Sequence, residues 1–501
     1  MTMASAPAIH LEGVVKTFPN PLDAARPIRA VDGISLKAGG AEASDRLIAL
    51  VGPDGAGKST FMRLLCGLEA PDEGRLSVLG TTPDPDNEDF TTRIAFMPQT
   101  LGLYKTLSCR ENLEVFAGLR GFEGEADGAA GLKRRIAELL SMTGLAGFEE
   151  RQAGKLSGGM KQKLGLAATL MTTPDFIVLD EPTVGVDPLS RRELQRVLED
   201  VRRTDGVTTL FSTAYLDEAA SADRVYILEK GRIVACGTPS ELLLTVRGRT
   251  WRAVPAETST EIPRPNGKNH ELGTAAHRLA RTLMQSVSAV RADSPWLDAV
   301  PRGDGVDLLA RAGANRAALE RSISELAASG LAATLSERPE TLEDAYAALT
   351  FEDDGRTPEE ASVETVARSG AACGAFSKVA LKTANNTTGE TAAATSDPVI
   401  RAEHISRRFG NFVAVADTRF EVKRGEIFGL LGPNGAGKTT TFRMLCGLLP
   451  PSSGDIRIDG VDLLASASEA RARIGYVAQK FSLYERLTVY QTLRYFGECY
   501  G

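Results

Sequence analysis

The segment GPDGAGKSTFMRLLCGLEAPDEG, which begins at Gly52, returns as GPNGAGKTTTFRMLCGLLPPSSG from Gly432. The likeness continues downstream, where RIAFMPQTLGLYKTLS returns as RIGYVAQKFSLYERLT. Gln99 and Gln479 each stand 47 positions past the first glycine of their segment (99 − 52 and 479 − 432). A register kept over that distance means two copies of one domain rather than one copied loop. Whatever the chain folds into must therefore accommodate the same local structure twice.

Strand-like and helix-like runs alternate through the first copy, residues 9–244. DRLIALVG, DFIVLDEP and GVTTLFSTA are apolar runs of strand length, DRVYILEKGRIVACG reads as a hairpin, and KSTFMRLLCGL has helical periodicity. This pattern predicts an α/β fold with a mostly parallel sheet and a site at the carboxyl ends of its strands. Residues 245–350 read as a small α+β accessory domain, with TWRAV and GVDLLAR as strands and TAAHRLARTLMQSV, RAALERSISELAASG and ETLEDAYAALT as helices. Residues 351–397, rich in Ala, Thr, Ser, Gly and acidic groups, read as a flexible linker. The second copy, residues 398–501, contains only the N-terminal part of the repeated domain, so the chain reads as a partial product of a longer tandem protein.

Composition narrows the function classes. A formal net charge of −7 argues against a chain whose main task is to hold nucleic-acid phosphates. The six cysteines form no C-x-x-C pair and fit a reducing compartment, and the four histidines show no zinc-site spacing. No apolar stretch approaches the ~18 to 20 residues of a membrane helix, and the N-terminus has no secretory signal pattern. A membrane role would therefore run through a partner.

The repeated loop carries the chemistry. G-x-x-x-x-G-K-[ST] spans Gly52–Ser59 and Gly432–Thr439, each between a strand-like and a helix-like run. The loop of Gly52, Pro53, Asp54, Gly55, Ala56 and Gly57 can curl backbone N–H groups around a β-phosphate, at a helix N-terminus whose dipole favours an anion. Lys58 can bridge the β- and γ-phosphates, Ser59 can ligate Mg²⁺, and Thr60 follows in the first helical turn. Gly432, Pro433, Asn434, Gly435, Ala436 and Gly437, with Lys438, Thr439 and Thr440, repeat the arrangement. In FIVLDEP, Asp180 ends a buried strand and can hold Mg²⁺ through water, while Glu181 can polarise an attacking water. Ser157, Gly158 and Gly159 open a helix in KLSGGMKQKLGLAATL, where Ser157 can serve as an N-cap or the free N–H groups can meet an anion.

Taken in order, these motifs resemble the ATP-binding subunit of an ABC transporter with two nucleotide-binding domains in tandem. GPDGAGKST matches the Walker A motif, Gln99 the Q-loop, LSGGMKQ the family signature, FIVLDEP Walker B, and GVDP at 185–188 the D-loop. The resemblance covers the first copy end to end and the second as far as it extends. It implies two P-loop domains, the second incomplete, that bind ATP and Mg²⁺ and pair head to tail with a second nucleotide-binding domain, in cis or by homodimerisation. Phe18 and Phe409 sit where such domains stack an aromatic on adenine, although each could also be a core aromatic. Gln99 and Gln479 would touch Mg²⁺ and report to transmembrane permease subunits, and the two signature glycines with Ser157 would close over the ATP of the other domain. The tail RPETLEDAYAALT is similar to that of ATPases serving ABC-2 type exporters, including drug exporters. The implied location is peripheral, on the cytoplasmic face of the plasma (inner) membrane.

One position departs from the family pattern. The strand after the D-loop should end in a histidine that contacts the γ-phosphate, and here Ala214 occupies that place. A methyl group donates no hydrogen bond, so the first site is expected to bind ATP well and turn it over slowly. The alternative from another class is a soluble ABC-type ATPase factor acting on ribosomes or nucleic acid. Such factors join their domains by a strongly charged helical linker, which 351–397 does not resemble.

Overall fold

In the computed structural model, residues 7–20, 26–39, 45–122, 128–205, 207–256, 279, 282–283, 294–327, 331–354, 398–424, 426–432, 435–466, 470–471, 473–478, 483–484 and 486–500 are described. Contacts divide the chain into two compact units, Met1–Val186 with Ser190–Ala380 and Asp187–Leu189 with Leu381–Gly501.

The first unit opens with β1 (Ile9–Phe18), β2 (Ile28–Ala38), β3 (Leu47–Val51), α1 (Lys58–Leu65), β4 (Glu73–Val78), α2 (Glu88–Arg93) and β5 (Ile94–Met97). It continues through α3 (Cys109–Leu119), α4 (Ala129–Met142), α5 (Gly158–Thr169), β6 (Phe176–Leu179), α6 (Pro188–Asp205) from Ser190 onward, β7 (Thr208–Thr213), α7 (Leu216–Ala219), β8 (Arg224–Glu229), β9 (Arg232–Gly237) and α8 (Pro239–Leu244). A six-stranded sheet runs β5-β6-β7-β3-β8-β9, parallel except for the β8/β9 hairpin. Every residue of β3, β6 and β7 is buried, which is why LIALV and FIVL read as unbroken apolar runs rather than alternating ones, while β7 (TTLFST) buries three threonines and a serine as well. A three-stranded antiparallel sheet, β2-β1-β4, packs on one side, around a core of Ile9, Leu11, Phe61, Leu64, Ile48 and Phe176. Helix ends are set locally: Ser108 and Glu111 form a capping box on α3, and Thr238, Pro239 and Glu241 do the same for α8.

The accessory region comprises β10 (Thr250–Pro255), β11 (Trp296–Arg302), β12 (Gly305–Ala310), α9 (Arg316–Ala327), β13 (Ala333–Glu337) and α10 (Leu342–Asp354). Its strands form an antiparallel sheet in the order β11-β12-β10-β13. The two expected strands and the last two expected helices are present. β11 and β13 escape sequence reading because WLDAVPR contains a proline and ATLSE is a short, polar edge strand. Of the helix expected in TAAHRLARTLMQSV, only residues 279, 282 and 283 are described, and they are helical, while the rest lies outside the described residues. Side chains alternate across this sheet: Trp296 and Leu308 face a local core, whereas Leu297 and Leu309 join the main core of the first copy. Leu342, Ala345, Ala347 and Ala348 of α10 enter that main core as well. The expected appendage is thus continuous in packing with the first copy, and α10 runs to Asp354, inside the segment read as a linker. The remainder of that linker lies outside the described residues.

The second unit contains β14 (Ile400–Phe409), β15 (Phe412–Val422), α11 (Lys438–Leu445), β16 (Ser453–Ile458), β17 (Val461–Asp462) and α12 (Val489–Tyr500). Its sheet order, β15-β14-β16-β17, repeats β2-β1-β4 with one short strand added. The repeat of β3 behaves differently. Ile427 and Leu431 are 88% and 94% exposed, whereas Leu47 and Val51, at the matching positions of the first copy, are 4% and 2% exposed. β3 is held by ladders to β7 and β8, and residues 398–501 supply no second copy of either sequence. An apolar run without ladder partners or a facing layer does not form a strand.

Candidate active site

Gly57 caps α1 at φ 105°, a left-handed backbone that glycine adopts freely, and no side chain caps the helix. The first N–H groups of α1 are therefore left for a ligand. The loop also needs glycine for space, since a Cβ on Gly57 would lie 2.0 Å from the Ala30 carbonyl oxygen and one on Gly52 would lie 2.2 Å from that of Leu228. Lys58 folds back over this loop and donates from Nζ to the carbonyl oxygens of Gly52 at 2.8 Å and Pro53 at 3.1 Å.

Across the sheet, β6 delivers the acidic pair. Asp180 Oδ1 accepts from Ser212 Oγ at 2.7 Å, and the Glu181 N–H donates to the same hydroxyl at 2.9 Å. Glu181 adopts φ 49°, an uncommon conformation for a side chain of this size, which costs roughly 1 to 2 kcal/mol and needs support from its surroundings. That support is visible: Lys58 Nζ stands 3.4 Å from Glu181 Oε1, and Gln99 Nε2 donates to Glu181 Oε2 at 2.8 Å. Residues separated by more than a hundred positions thus meet at the carboxyl ends of β3, β5 and β6, as the strand pattern predicts.

These residues fit a magnesium nucleotide. Gly52 and Gly57 have no room for Cβ atoms, the helix N-terminus has no side-chain cap, and the buried Lys58 ammonium faces the buried Glu181 carboxylate, beside which Asp180 is also buried. Among the described residues, no group of three or more His, Cys, Asp and Glu side chains is arranged to hold a metal ion.

Ser157 is the N-cap of α5, and its Oγ accepts from the Met160 N–H at 3.3 Å. Gly158 and Gly159 have a steric reason of their own. A Cβ on Gly158 would meet the Gly185 carbonyl oxygen at 3.1 Å, and one on Gly159 would meet the Ser190 Cβ at 3.0 Å. The start of α5 therefore packs tightly against Gly185 and Ser190.

Ala214 lies exposed on the loop between β7 and α7. The loop itself is firmly held by residues that sequence reading missed. Glu218, nearly fully buried, accepts from Thr213 Oγ1 at 2.7 Å and Thr183 Oγ1 at 2.9 Å and lies 3.2 Å from Arg191 Nε. The Arg191 guanidinium also sits 4.0 Å from the centroid of the Tyr215 ring. Nothing local marks Glu218 as buried: in LDEA it is one of two adjacent acids at the start of a short helix. Ser212 escaped for a related reason: a serine inside an apolar strand gives no sign of the carboxylate it orients.

In the second unit, Gly437 again caps its helix at φ 88°, and Lys438 Nζ donates to the Gly432 carbonyl oxygen at 2.5 Å. Gly435, Ala436, Thr439 and Thr440 are in place around it, whereas Pro433, Asn434 and Gln479 lie outside the described residues. In the first unit Asp54 and Gly55 are exposed at the loop tip, Ala56 is buried beneath it, and Ser59 and Thr60 form the first turn of α1. Phe18 and Phe409 end β1 and β14, half-buried and exposed respectively.

Comparison with known proteins gives a consistent result. A family model described as "ABC transporter" matches residues 42–184 and again 415–498. The probable multidrug ABC transporter ATP-binding protein YbhF of Escherichia coli is 38% identical over 98% of this chain and 74% of its own length. The daunorubicin/doxorubicin resistance ATP-binding protein DrrA of Streptomyces peucetius is 34% identical over 54% of this chain and 77% of its own. Among solved structures, the ATP-binding cassette MJ0796 bound to ADP and Pi aligns with 46% of this chain and 98% of its own at 25% identity, with a TM-score of 0.41.

Proposed function

The chain belongs to the ABC transporter family of ATPases, and from that premise we propose that it is the energy-coupling subunit of an ABC-2 type exporter of drug-like compounds. It would lie against the cytoplasmic face of the membrane, dock on transmembrane permease subunits, and pair with a second nucleotide-binding domain in cis or from another copy. No helix among the described residues is long and apolar enough to cross a membrane, which is compatible with a role through such partners. The observation that carries the reading is the convergence of Lys58, Gln99, Asp180 and Glu181.

In the proposed cycle, the Lys58 ammonium leaves Glu181 and the loop carbonyls for the β- and γ-phosphates of ATP. Ser59, Gln99 and Asp180 would hold Mg²⁺, which when bound would offset the charge of those phosphates. Glu181, released from its ion pair, would accept a proton from the attacking water at Oε1. Position 214 offers only a methyl group to the γ-phosphate, so the first site is proposed to bind well and hydrolyse slowly. Gly432 to Gly437 with Lys438, Thr439, Thr440 and Gln479 would bind a second nucleotide, and Ser157, Gly158 and Gly159 would contact the nucleotide of a paired domain. Phe18 and Phe409 would supply platforms for the adenine rings. Closure on binding and reopening after hydrolysis would be passed to the permease.

The test is recovery of the tagged chain from cells. Co-purification with polytopic membrane proteins, together with ATP hydrolysis that Glu181→Gln reduces, is the expected result. Recovery with ribosomes and not with membrane proteins would overturn it.

A further inference from the structure

The two candidate base platforms share one set of contacts built from different residues, to which the first unit adds Lys16 Nζ to Asp72 Oδ1 at 3.3 Å and Thr17 Oγ1 to Asp72 Oδ2 at 2.7 Å. In the first unit Lys16 Nζ donates to the Ala70 carbonyl oxygen at 2.8 Å and lies 5.6 Å from the Phe18 ring centroid. The Thr17 N–H donates to Asp72 Oδ2 at 2.6 Å, and the Asp72 N–H donates back to the Val15 carbonyl oxygen at 2.8 Å. In the second unit Arg407 donates to the Pro450 carbonyl oxygen at 2.8 Å and lies 4.8 Å from the Phe409 ring centroid. The Arg408 N–H donates to Ser452 Oγ at 3.0 Å, and the Ser452 N–H donates back to the Ser406 carbonyl oxygen at 2.7 Å. Four pairs of unlike residues, Lys16 and Arg407, Thr17 and Arg408, Ala70 and Pro450, Asp72 and Ser452, thus arrive at one pattern.

Strand pairing alone does not explain these contacts. The β1/β4 ladder ends at Val15 with Glu73, and the β14/β16 ladder ends at Ser406 with Ser453. Beyond that point one edge of each strand end still pairs with β2 or β15, as far as Phe18 with Ile28 and Phe409 with Phe412, while on the other edge the cation, the side-chain oxygen and the returned N–H take over from the ladder and hold the residues that carry the aromatic ring. A cation over one face of a ring draws on its π-electrons. The ring is thereby made more electron-poor and so better suited to stack with an electron-rich purine on its other face.

We propose that Lys16 and Asp72, and in the second unit Arg407 and Ser452, are positioning residues that orient Phe18 and Phe409 and bias them toward adenine. This rests on the reading of the two phenylalanines as base platforms. None of the four is proposed to touch the phosphates, so their effect should be confined to the base.

The experiment measures equilibrium binding of ATP and of inorganic tripolyphosphate to the full chain in a Lys438→Ala background, so that the first site reports. Asp72→Ala and Lys16→Met are expected to weaken ATP binding by about fivefold or more, within the range of a lost base–aromatic stack, and to leave tripolyphosphate affinity unchanged. The pair Lys16→Arg with Asp72→Ser, which installs the second unit's residues, is expected to keep ATP affinity within about twofold. Equal weakening of both ligands would mean a merely structural role and overturn the proposal. So would an unchanged ATP-to-tripolyphosphate ratio in Asp72→Ala and Lys16→Met while Phe18→Ala lowers it. An unchanged ratio in Phe18→Ala itself would instead remove the platform reading, and this inference with it.

Discussion

Lys58 Nζ lies 3.4 Å from Glu181 Oε1, with 4% and 9% of the two side chains exposed. The proposed phosphate-binding cation and the candidate base therefore neutralise each other. Breaking a buried pair from one side leaves the other charge desolvated and uncompensated, a loss of about 3 to 5 kcal/mol. Lys58→Ala is accordingly expected to lower the stability of the first unit by roughly that amount in urea unfolding, and adding Glu181→Gln should recover much of it. A double-mutant cycle with no coupling between the two positions would contradict the pairing.

Position 214 is exposed, and its loop is held by Glu218, Thr213, Thr183 and Arg191 rather than by residue 214 itself. Ala214→His should therefore fold normally. In an assembly with a complete partner domain it is expected to raise the ATPase rate by about tenfold or more, the scale of a regained transition-state donor. Glu181→Gln in the same protein should abolish the gain. Steady-state phosphate release checks both, and indifference to both changes would mean that the first site does not limit turnover.

Glu218 bonds to two threonine hydroxyls and pairs with Arg191 while nearly fully buried. Glu218→Ala leaves those groups without their acceptor, and the expected destabilisation is about 3 kcal/mol. The loop should also loosen, so the Tyr215 amide, which donates to Thr213 Oγ1 at 2.9 Å, should exchange faster with solvent. Hydrogen exchange that is unchanged at Tyr215 would count against Glu218 as the anchor.

Asp344 joins the start of α10 to the accessory sheet through paired hydrogen bonds from Arg338 at 2.8 and 2.6 Å. Burial pushes its pKa up, but the Arg338 and Thr341 hydrogen bonds outweigh burial and hold the carboxyl below the usual range. A depressed folded-state pKa means stability that is present above the unfolded value of about 3.9 and is lost as pH falls through the folded value. The urea midpoint should therefore drop as pH is lowered past about 4. Asp344→Asn should start lower at neutral pH and show a shallower acid decline. Parallel acid profiles for the two proteins would rule out Asp344 as a source of the decline.

The candidate site was legible where chemistry is written locally. Gly52, Gly57, Lys58, Asp180 and Glu181 belong to contiguous motifs whose residue types are dictated by a tight loop, a phosphate or a strand end, so their spacing carries the signal. Ser212, Glu218 and Arg191 were not legible, because each acts through a partner distant in sequence or on a neighbouring element, and its residue type is common in other settings. The accessory region shows the same division. β10, β12 and the last two helices announced themselves by pattern, whereas β11 carries a proline, β13 is short and exposed, and the packing of α10 into the ATPase core has no local signature.

By itself, the sequence determined the duplication, the α/β class, the phosphate loops, the acidic pair and the alanine at 214, because backbone geometry and side-chain chemistry at those positions depend on near neighbours. Only tertiary structure decided whether a given apolar run became a strand. LIALV and IFGLL are close in composition, yet one lies at the centre of a sheet and the other is largely exposed. The physical reason is that a strand's N–H and C=O groups need partners from elsewhere in the chain. The first copy supplies them in β7 and β8, and the residues of the second copy present here do not.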